Sequence, residues 1–311
     1  MVGWLQFYPR GELQELLTPA LIRQLATRLE VTPTKKLGQN FVHDANTVRK
    51  IVRLSQVQEN TRVLEIGPGL GSLTLGLTAT GAQVTAVEID PKLAAQLPLT
   101  VAELQPAARL EVVHCDALNL TDLPHSPETL VANLPYNVSV PILMHLLQTF
   151  ASIRRALVMV QYEVGERIAA APKSKAYGAP SVKAAWYGNW SLAGAVSRNI
   201  FWPVPGVDSV LVSFAKNAVA RGSEAERELT FALIEAAFGQ RRKMLRQSLR
   251  AFSYPQTGLA DPSIISCATE IFSSSQLITE LCQKCQIDSS ARAEELSVAD
   301  FHALARSVLT R

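Results

Sequence analysis

The stretch Val63-Leu64-Glu65-Ile66-Gly67-Pro68-Gly69-Leu70-Gly71 decides how this chain is read. Its first four residues are rich in β-formers, three glycines follow at every second position, and helix-compatible sequence begins at Ser72. A strand, a glycine turn and a helix in this order bring main-chain N–H groups close to a ligand. Glycine lets the backbone approach where a Cβ would block it. The turn is a nucleotide-type cradle, and the rest of the chain must say which nucleotide it takes.

A dinucleotide fingerprint, G-x-G-x-x-G/A, asks for a small apolar residue three positions after Gly69. Here that position is Ser72, and the third glycine comes early, at Gly71. The next β-like run, Q-V-T-A-V-E, ends at Glu88, whose carboxylate suits two ribose hydroxyls. The third, L-E-V-V-H-C-D, ends at Asp116, placed to receive an adenine amino group. Singly, a glycine turn is often only a turn and such an acid often only a helix cap. As an ordered set, Gly67, Gly69, Glu88 and Asp116 describe a nucleoside site without a pyrophosphate. S-adenosylmethionine fits it better than NAD.

The fourth run, T-L-V-A-N-L-P-Y, ends in Asn133-Leu134-Pro135-Tyr136. Tetrapeptides of this kind mark enzymes that methylate amino groups, although Asn and Pro are also common turn formers. An exocyclic adenine amine is a weak nucleophile because its lone pair is delocalised into the ring. Acceptance of its two N–H groups by the Asn133 amide oxygen and the Leu134 carbonyl frees that lone pair. Pro135 fixes the turn, and Tyr136 is placed to stack on a base that has left its helix. Positioning and charge stabilisation carry such a reaction, so no strong general base is required.

Outward from these motifs, β-like runs at 62–66, 83–88, 109–114, 129–133 and 154–161 alternate with helical ones near 72–80, 91–104 and 139–150. That alternation predicts a parallel sheet with crossover helices. Two more β-rich runs, 190–197 and 207–215, suggest a hairpin at the sheet edge. From about 218 the segments near 224–238, 241–251, 274–285 and 297–308 are helical in period, with breaks at Pro255 and Pro262. The expected division is therefore an N-terminal extension over 1–35 with one helix, an α/β domain over 36–217, and an all-helical domain over 218–311.

The 48% hydrophobic and 18% charged content suits a soluble globular protein, and no apolar run is long enough to span a membrane. The first ten residues make a poor secretion signal, and four cysteines form no disulfide framework in a chain of 311 residues, so a reducing cytoplasm is expected. Cys282-x-x-Cys285 stands without a second pair or nearby histidines, and no metal is expected. The net charge of +3 is unevenly spread. Residues 51–150 hold 4 Lys/Arg against 9 Asp/Glu, and 151–217 hold 8 against 3. A basic segment following an acidic nucleoside region fits a polyanionic partner that meets the protein away from the small-ligand pocket.

The words G-Q-N-F-V-H-D (38–44), E-I-G-P-G-L-G (65–71), V-E-I-D (87–90), C-D-A (115–117), N-L-P-Y-N (133–137), F-W-P-V-P-G-V-D-S (201–209) and Q-R-R-K-M-L-R-Q-S-L (240–249) occur in that order. Together they resemble the small-subunit ribosomal RNA adenine dimethyltransferase family, of the KsgA type. The resemblance implies an α/β, Rossmann-like class I S-adenosylmethionine-dependent methyltransferase domain with a small helical C-terminal domain. Its substrate is two adjacent adenines near the 3′ end of 16S RNA, each dimethylated at N6, within immature 30S particles. A monomer is expected. Carried onto matching positions, the cofactor contacts are Asn40, Val42, Gly67, Glu88, Asp116 and Asn133, with Val42 standing where the family often has Leu. Phe201 is the second ring of a base sandwich opposite Tyr136; without the adjoining P-x-P-x-V-D-S it reads as a core phenylalanine.

Arg241, Arg242, Lys243, Arg246 and Arg250 cluster with no acid between Glu235 and Asp261 and read as an RNA contact; on a helix Arg242 and Arg246 share one face and Lys243 and Arg250 another nearby one. A solvated helix face is the plainer alternative. The segment P-K-S-K-A-Y-G at 172–178 resembles a mobile loop that closes on substrate. Three rivals remain. A large-subunit adenine dimethyltransferase shares the cofactor words, but Leu134 and the V-D-S word disfavour it. A ribosome-assembly factor needs no catalysis, and a dehydrogenase is argued against by Ser72 and N-L-P-Y.

Overall fold

The computed structural model describes residues 16–31, 39–254 and 262–310. The chain enters through α1 (Pro19–Arg28), β1 (Phe41–Val42) and α2 (Ala45–Ser55). It then runs β2 (Arg62–Ile66), α3 (Ser72–Thr78), β3 (Gln83–Glu88), α4 (Pro91–Leu104) and β4 (Arg109–His114). After these come β5 (Thr129–Asn133), α5 (Ser139–Thr149), β6 (Arg155–Gln161), α6 (Tyr162–Ile168) and α7 (Ala179–Tyr187). The last strands are β7 (Gly188–Val196), β8 (Phe201–Trp202) and β9 (Ser209–Lys216). Helices α8 (Glu224–Gly239), α9 (Leu245–Ser248), α10 (Pro262–Ser273), α11 (Ser275–Lys284) and α12 (Val298–Leu309) follow.

Seven strands form one sheet in the order β4-β3-β2-β5-β6-β9-β7. The five from β4 to β6 are parallel, and β9 is antiparallel to β6. After β2 the chain builds outward through β3 and β4, then returns to lay β5 on the other side of β2. The connections therefore diverge at the carboxyl ends of β2 and β5, which is where an open α/β sheet makes its ligand crevice. The Gly67 turn leaves β2 at that point, and Asn133 ends β5 there. Apolar side chains at Val63, Leu64, Val84, Ala86, Leu130 and Val131 are buried because these strands are covered on both faces.

The chain divides into two compact units. One comprises the described residues up to Gly165 together with Ser191–Lys216; the other comprises Glu166–Trp190 and the residues from Asn217 onward. Two sequence expectations change here. Of the expected extension over 1–35, the structure describes residues 16–31, and these are not set apart, because Leu21, Ile22, Leu25 and Ala26 of α1 enter the core cluster of the first unit. Thr18 caps that helix by accepting the Leu21 N–H, and Lys92 Nζ donates to the Leu29 carbonyl at its far end. Residues 166–190, expected in the α/β domain, belong to the second unit. There Tyr177, Val182 and Trp186 share a core with α8, α11 and α12.

The helical reading of 241–251 also changes. Helix α8 ends at Gly239, a turn follows, and only the four residues of α9 and a short 3-10 turn at Leu249–Ala251 are helical. The run R-R-K supplies no apolar side chain to hold a helix against the core. Pro262 opens α10 rather than breaking a helix, as its fixed φ allows at a first position. Pro255 lies outside the described residues.

Candidate active site

The β2–α3 turn is shaped by three glycines at positive φ: Gly67 at 66°, Gly69 at 59° and Gly71 at 98°. A Cβ on Gly69 would stand 2.9 Å from the Phe41 ring, and one on Gly71 would stand 2.6 Å from Leu97 Cδ1. At Gly67 the nearest atoms, the Asn133 carbonyl oxygen and Pro135 Cδ, lie 3.9 Å away. The first two glycines let the turn pack against protein, and Gly67 leaves space at the crevice. The Gly67 N–H donates to the Val87 carbonyl at 2.9 Å, which ties the turn to β3.

Glu88 closes the turn from the end of β3. Its Oε2 accepts the Gly69 N–H at 3.0 Å and its Oε1 accepts the Asp90 N–H at 3.0 Å. Burial raises its pKa, while the two N–H groups oppose that shift. The expected ribose acid thus also holds the backbone, with one further lone pair on each oxygen for a ligand. Asp116, after β4, accepts the Leu118 N–H through Oδ1 at 2.9 Å. These groups line one pocket with Gln39, Asn40, Val42 and Asn133. Ile89 and Leu118 also line it and are exposed although apolar, which suits the faces of a planar base.

Asn133 has a defined orientation. Its Nδ2 donates to the Asn40 carbonyl at 3.1 Å, and its Oδ1 is buried without a protein partner. An unpaired buried amide oxygen is costly unless a ligand donor meets it. Ser72 Oγ, on the first residue of α3, is a second buried pocket atom without a partner. S-adenosylmethionine therefore fits these residues. Acceptors lie at Glu88 and Asp116, apolar faces at Ile89 and Leu118, and orphaned polar atoms deep in the pocket.

Beyond Asn133, the buried Leu134 donates its N–H to the Met159 carbonyl at 3.0 Å, and Pro135 lines the pocket. Tyr136 is half-buried, with its hydroxyl 2.9 Å from Ser209 Oγ. Phe201 is placed differently from the expected base sandwich. Its ring has no exposed surface and belongs to the core cluster, with β8 paired to β1 through Val42 and Phe201. As it stands, that ring supports the wall of the site and offers no face to a base.

The sequence motifs did not single out Glu65. It lines the pocket at 1% exposure, with Oε2 unpartnered. Burial pushes its carboxyl up to about 8, opposed by the Thr74 hydroxyl and aided by the charge of Glu88. A glutamate inside an otherwise apolar strand, V-L-E-I, was the available signal.

In the second unit the basic residues stand on a turn and a short helix rather than on one helical face. Arg241 is engaged: its Nη2 donates to the Tyr177 carbonyl at 2.9 Å and lies 3.4 Å from Glu294 Oε2. Arg242, Lys243 and Arg250 are exposed, and Arg246 is partly covered. The segment 172–178 is pinned, with the Lys173 N–H donating to the Glu294 carbonyl at 2.8 Å and Tyr177 Oη to the Leu296 carbonyl at 2.9 Å. It presents Lys173 and Lys175 as exposed cations.

A doubly wound sheet with a glycine turn, two strand-end acids and N-L-P-Y at its switch point defines a class I methyltransferase. Residues 32–308 match the family model described as ribosomal RNA adenine dimethylase. The chain belongs to that family, is a methyltransferase, and uses S-adenosylmethionine. It is 57% identical to the ribosomal RNA small subunit methyltransferase A of Leifsonia xyli subsp. xyli, covering 93% of this chain and 98% of that one. With the protein of the same name from Corynebacterium diphtheriae the identity is 50%, covering 94% and 95%. Among solved structures, a dimethyladenosine transferase from Plasmodium falciparum superposes with a TM-score of 0.69 at 21% identity, covering 85% of this chain and 95% of that one. The 23S rRNA methyltransferase ErmE gives 0.60 at 24%, covering 88% and 100%. At those identities the two structures attest the fold alone.

Proposed function

We propose that this enzyme dimethylates N6 of two adjacent adenines near the 3′ end of small-subunit ribosomal RNA, in the cytoplasm. It acts as a monomer on immature small subunits. The observation that carries this reading is the fixed amide of Asn133, whose oxygen is buried, unpaired and beside the cofactor pocket. The names of the Leifsonia and Corynebacterium relatives support the choice of the small subunit.

When bound, S-adenosylmethionine supplies an electrophilic methyl group on a sulfonium sulfur. Glu88 would hold the ribose hydroxyls and Asp116 would accept from the adenine amine of the cofactor, with Asn40 and Val42 bordering the pocket. Asn133 Oδ1 accepts one N–H of the target amine and the Leu134 carbonyl accepts the other. With both N–H groups engaged in the first transfer, and the one remaining N–H held in the second, the nitrogen lone pair turns out of conjugation with the ring and becomes nucleophilic. Tyr136 stacks on the extruded base and sets its plane. The proton lost from the amine passes to water, because nitrogen acidifies strongly once alkylated. Arg242, Lys243, Arg246 and Arg250 contact RNA phosphates, whereas Arg241 orders the turn that carries them.

Primer extension over both ribosomal RNAs, after incubation with unmethylated subunits and S-adenosylmethionine, tests this assignment. Stops at two adjacent adenines near the 3′ end of the small-subunit RNA are expected. A stop only in the large-subunit RNA would overturn it.

A further inference from the structure

The hydroxyl pair Tyr136–Ser209 has no part in the cofactor pocket, and it joins residues 73 positions apart. Ser209 is fully buried at the start of β9, paired opposite Gln161 of β6. Its neighbour Asp208 is held from two sides: the carbonyl accepts the Tyr162 N–H at 3.0 Å, and Oδ1 accepts the Arg198 N–H at 3.0 Å. Ser209 is thus a fixed point of the sheet. Tyr136 is not part of any strand; it lies on the turn after β5, where the Pro135 carbonyl accepts the Val138 N–H.

A tyrosine hydroxyl lies on the long axis of its ring. One hydrogen bond at that tip fixes the direction of the ring without covering either π-face. A phenylalanine at 136 would keep the faces but lose the anchor, and its χ1 would be free to sample other wells. The position of the stacked base follows the position of the ring, and the target amine must reach an oxygen only three residues away, on Asn133. Small misplacements of a reacting atom are costly in rate.

We infer that Ser209 is a positioning residue for methyl transfer: its buried hydroxyl anchors Tyr136 so that the stacked adenine presents its amine to Asn133. This rests on the assignment of Tyr136 as the stacking ring. The serine of the V-D-S word then acts on the reaction through Tyr136 and touches neither cofactor nor RNA.

The test is a cycle of Ser209→Ala, Tyr136→Phe and the double variant, with Ser209→Thr and Tyr136→Ala alongside. Single-turnover methyl transfer to unmethylated small subunits is measured, together with the Kd for S-adenosylmethionine and the thermal midpoint. Loss of one buried hydrogen bond corresponds to a rate reduced about five- to tenfold in each single variant. Because both remove the same bond, the double variant is expected to be no slower than either. Ser209→Thr is expected to recover most of the rate, cofactor Kd to stay at its wild-type value, and the midpoint to fall by no more than about 2–4 °C, the scale of one buried hydrogen bond. Multiplying losses in the double variant, or a cofactor affinity that falls in step with the rate, would overturn the inference. So would wild-type rates in both single variants beside an inactive Tyr136→Ala, which leaves the stacking assignment standing. Full activity in Tyr136→Ala overturns the stacking assignment itself.

Discussion

In the proposed reaction Asn133 performs two tasks with the two ends of one amide. Its nitrogen fastens β5 to the Asn40 carbonyl, and its buried, unpartnered oxygen is the acceptor we assign to the substrate amine. Asn133→Ala should therefore lower turnover by at least about a hundredfold, the scale of losing one preorganised polar contact to a reacting group. Affinity for S-adenosylmethionine should fall much less, by less than about tenfold. Equilibrium binding beside single-turnover rates separates the two effects, and an unchanged turnover contradicts the role. Glu65 gives a second prediction at this scale. Its carboxyl is held up to about 8 from an ordinary 4.5 by burial. Between those values the folded protein keeps a proton that the unfolded chain releases. Its contribution to stability is whole below the lower value and is lost as pH rises through the upper one, at up to about 1.4 kcal/mol per pH unit. Glu65→Gln should flatten that slope, with a thermal midpoint above wild type near pH 8.5 and close to it near pH 5. Parallel profiles for the two proteins would contradict a protonated Glu65.

Among the elements, the β2–α3 turn is the one whose backbone geometry is least replaceable. Gly71 combines a φ of 98° with a Leu97 methyl 2.6 Å from the place of a Cβ. Gly71→Ala carries both a left-handed backbone penalty and an overpacking penalty, about 2 kcal/mol or more together. Calorimetry should show the lower midpoint and titration the weaker cofactor binding; a variant with wild-type values in both would contradict this account of the turn. The same elements show what a sequence can and cannot carry. Strands β2 to β5 were readable because short apolar β-branched runs end at Gly, Glu, Asp or Asn, which is a local signal. Helices α6 and α7 were not, since each is short and Pro172, Gly178 and Pro180 read as loop. The segment 241–251 misled for a different reason: a charge run imitates a helical face when nothing apolar is there to test the period. In the site, the identities of Glu88, Asp116 and Asn133 were legible from strand ends. The orientation of Asn133 was not, because Asn40 lies 93 positions away, and neither was the Tyr136–Ser209 bond. The burial of Phe201 was not legible either: at a strand start it depends on what β1 lays across the ring, not on the neighbouring motif.

At the scale of the whole molecule, acidic and basic stretches are divided along the chain. Residues 51–150, which supply most of the cofactor pocket, carry excess negative charge, whereas the exposed cations Lys173, Lys175, Arg242 and Lys243 belong to the second unit. In the proposed reading the cofactor is held by the first unit and RNA phosphates are met by these cations of the second. Arg242→Ala with Lys243→Ala should weaken subunit binding and reduce the slope of log affinity against log salt by roughly 1.5, as two phosphate contacts are lost. An unchanged slope would show these cations to be only solvated. Among the described residues no helix is long and apolar enough to cross a membrane. In the proposed function this pocket and this amide together dimethylate adjacent adenines of the small subunit. The decisive measurement is transfer of labelled methyl groups from S-adenosylmethionine to unmethylated small subunits, followed by nucleoside analysis. N6,N6-dimethyladenosine is expected at two adjacent positions, with Asn133→Ala nearly inactive. Label that appears on another nucleoside, or equally with the Asn133→Ala protein, would contradict it.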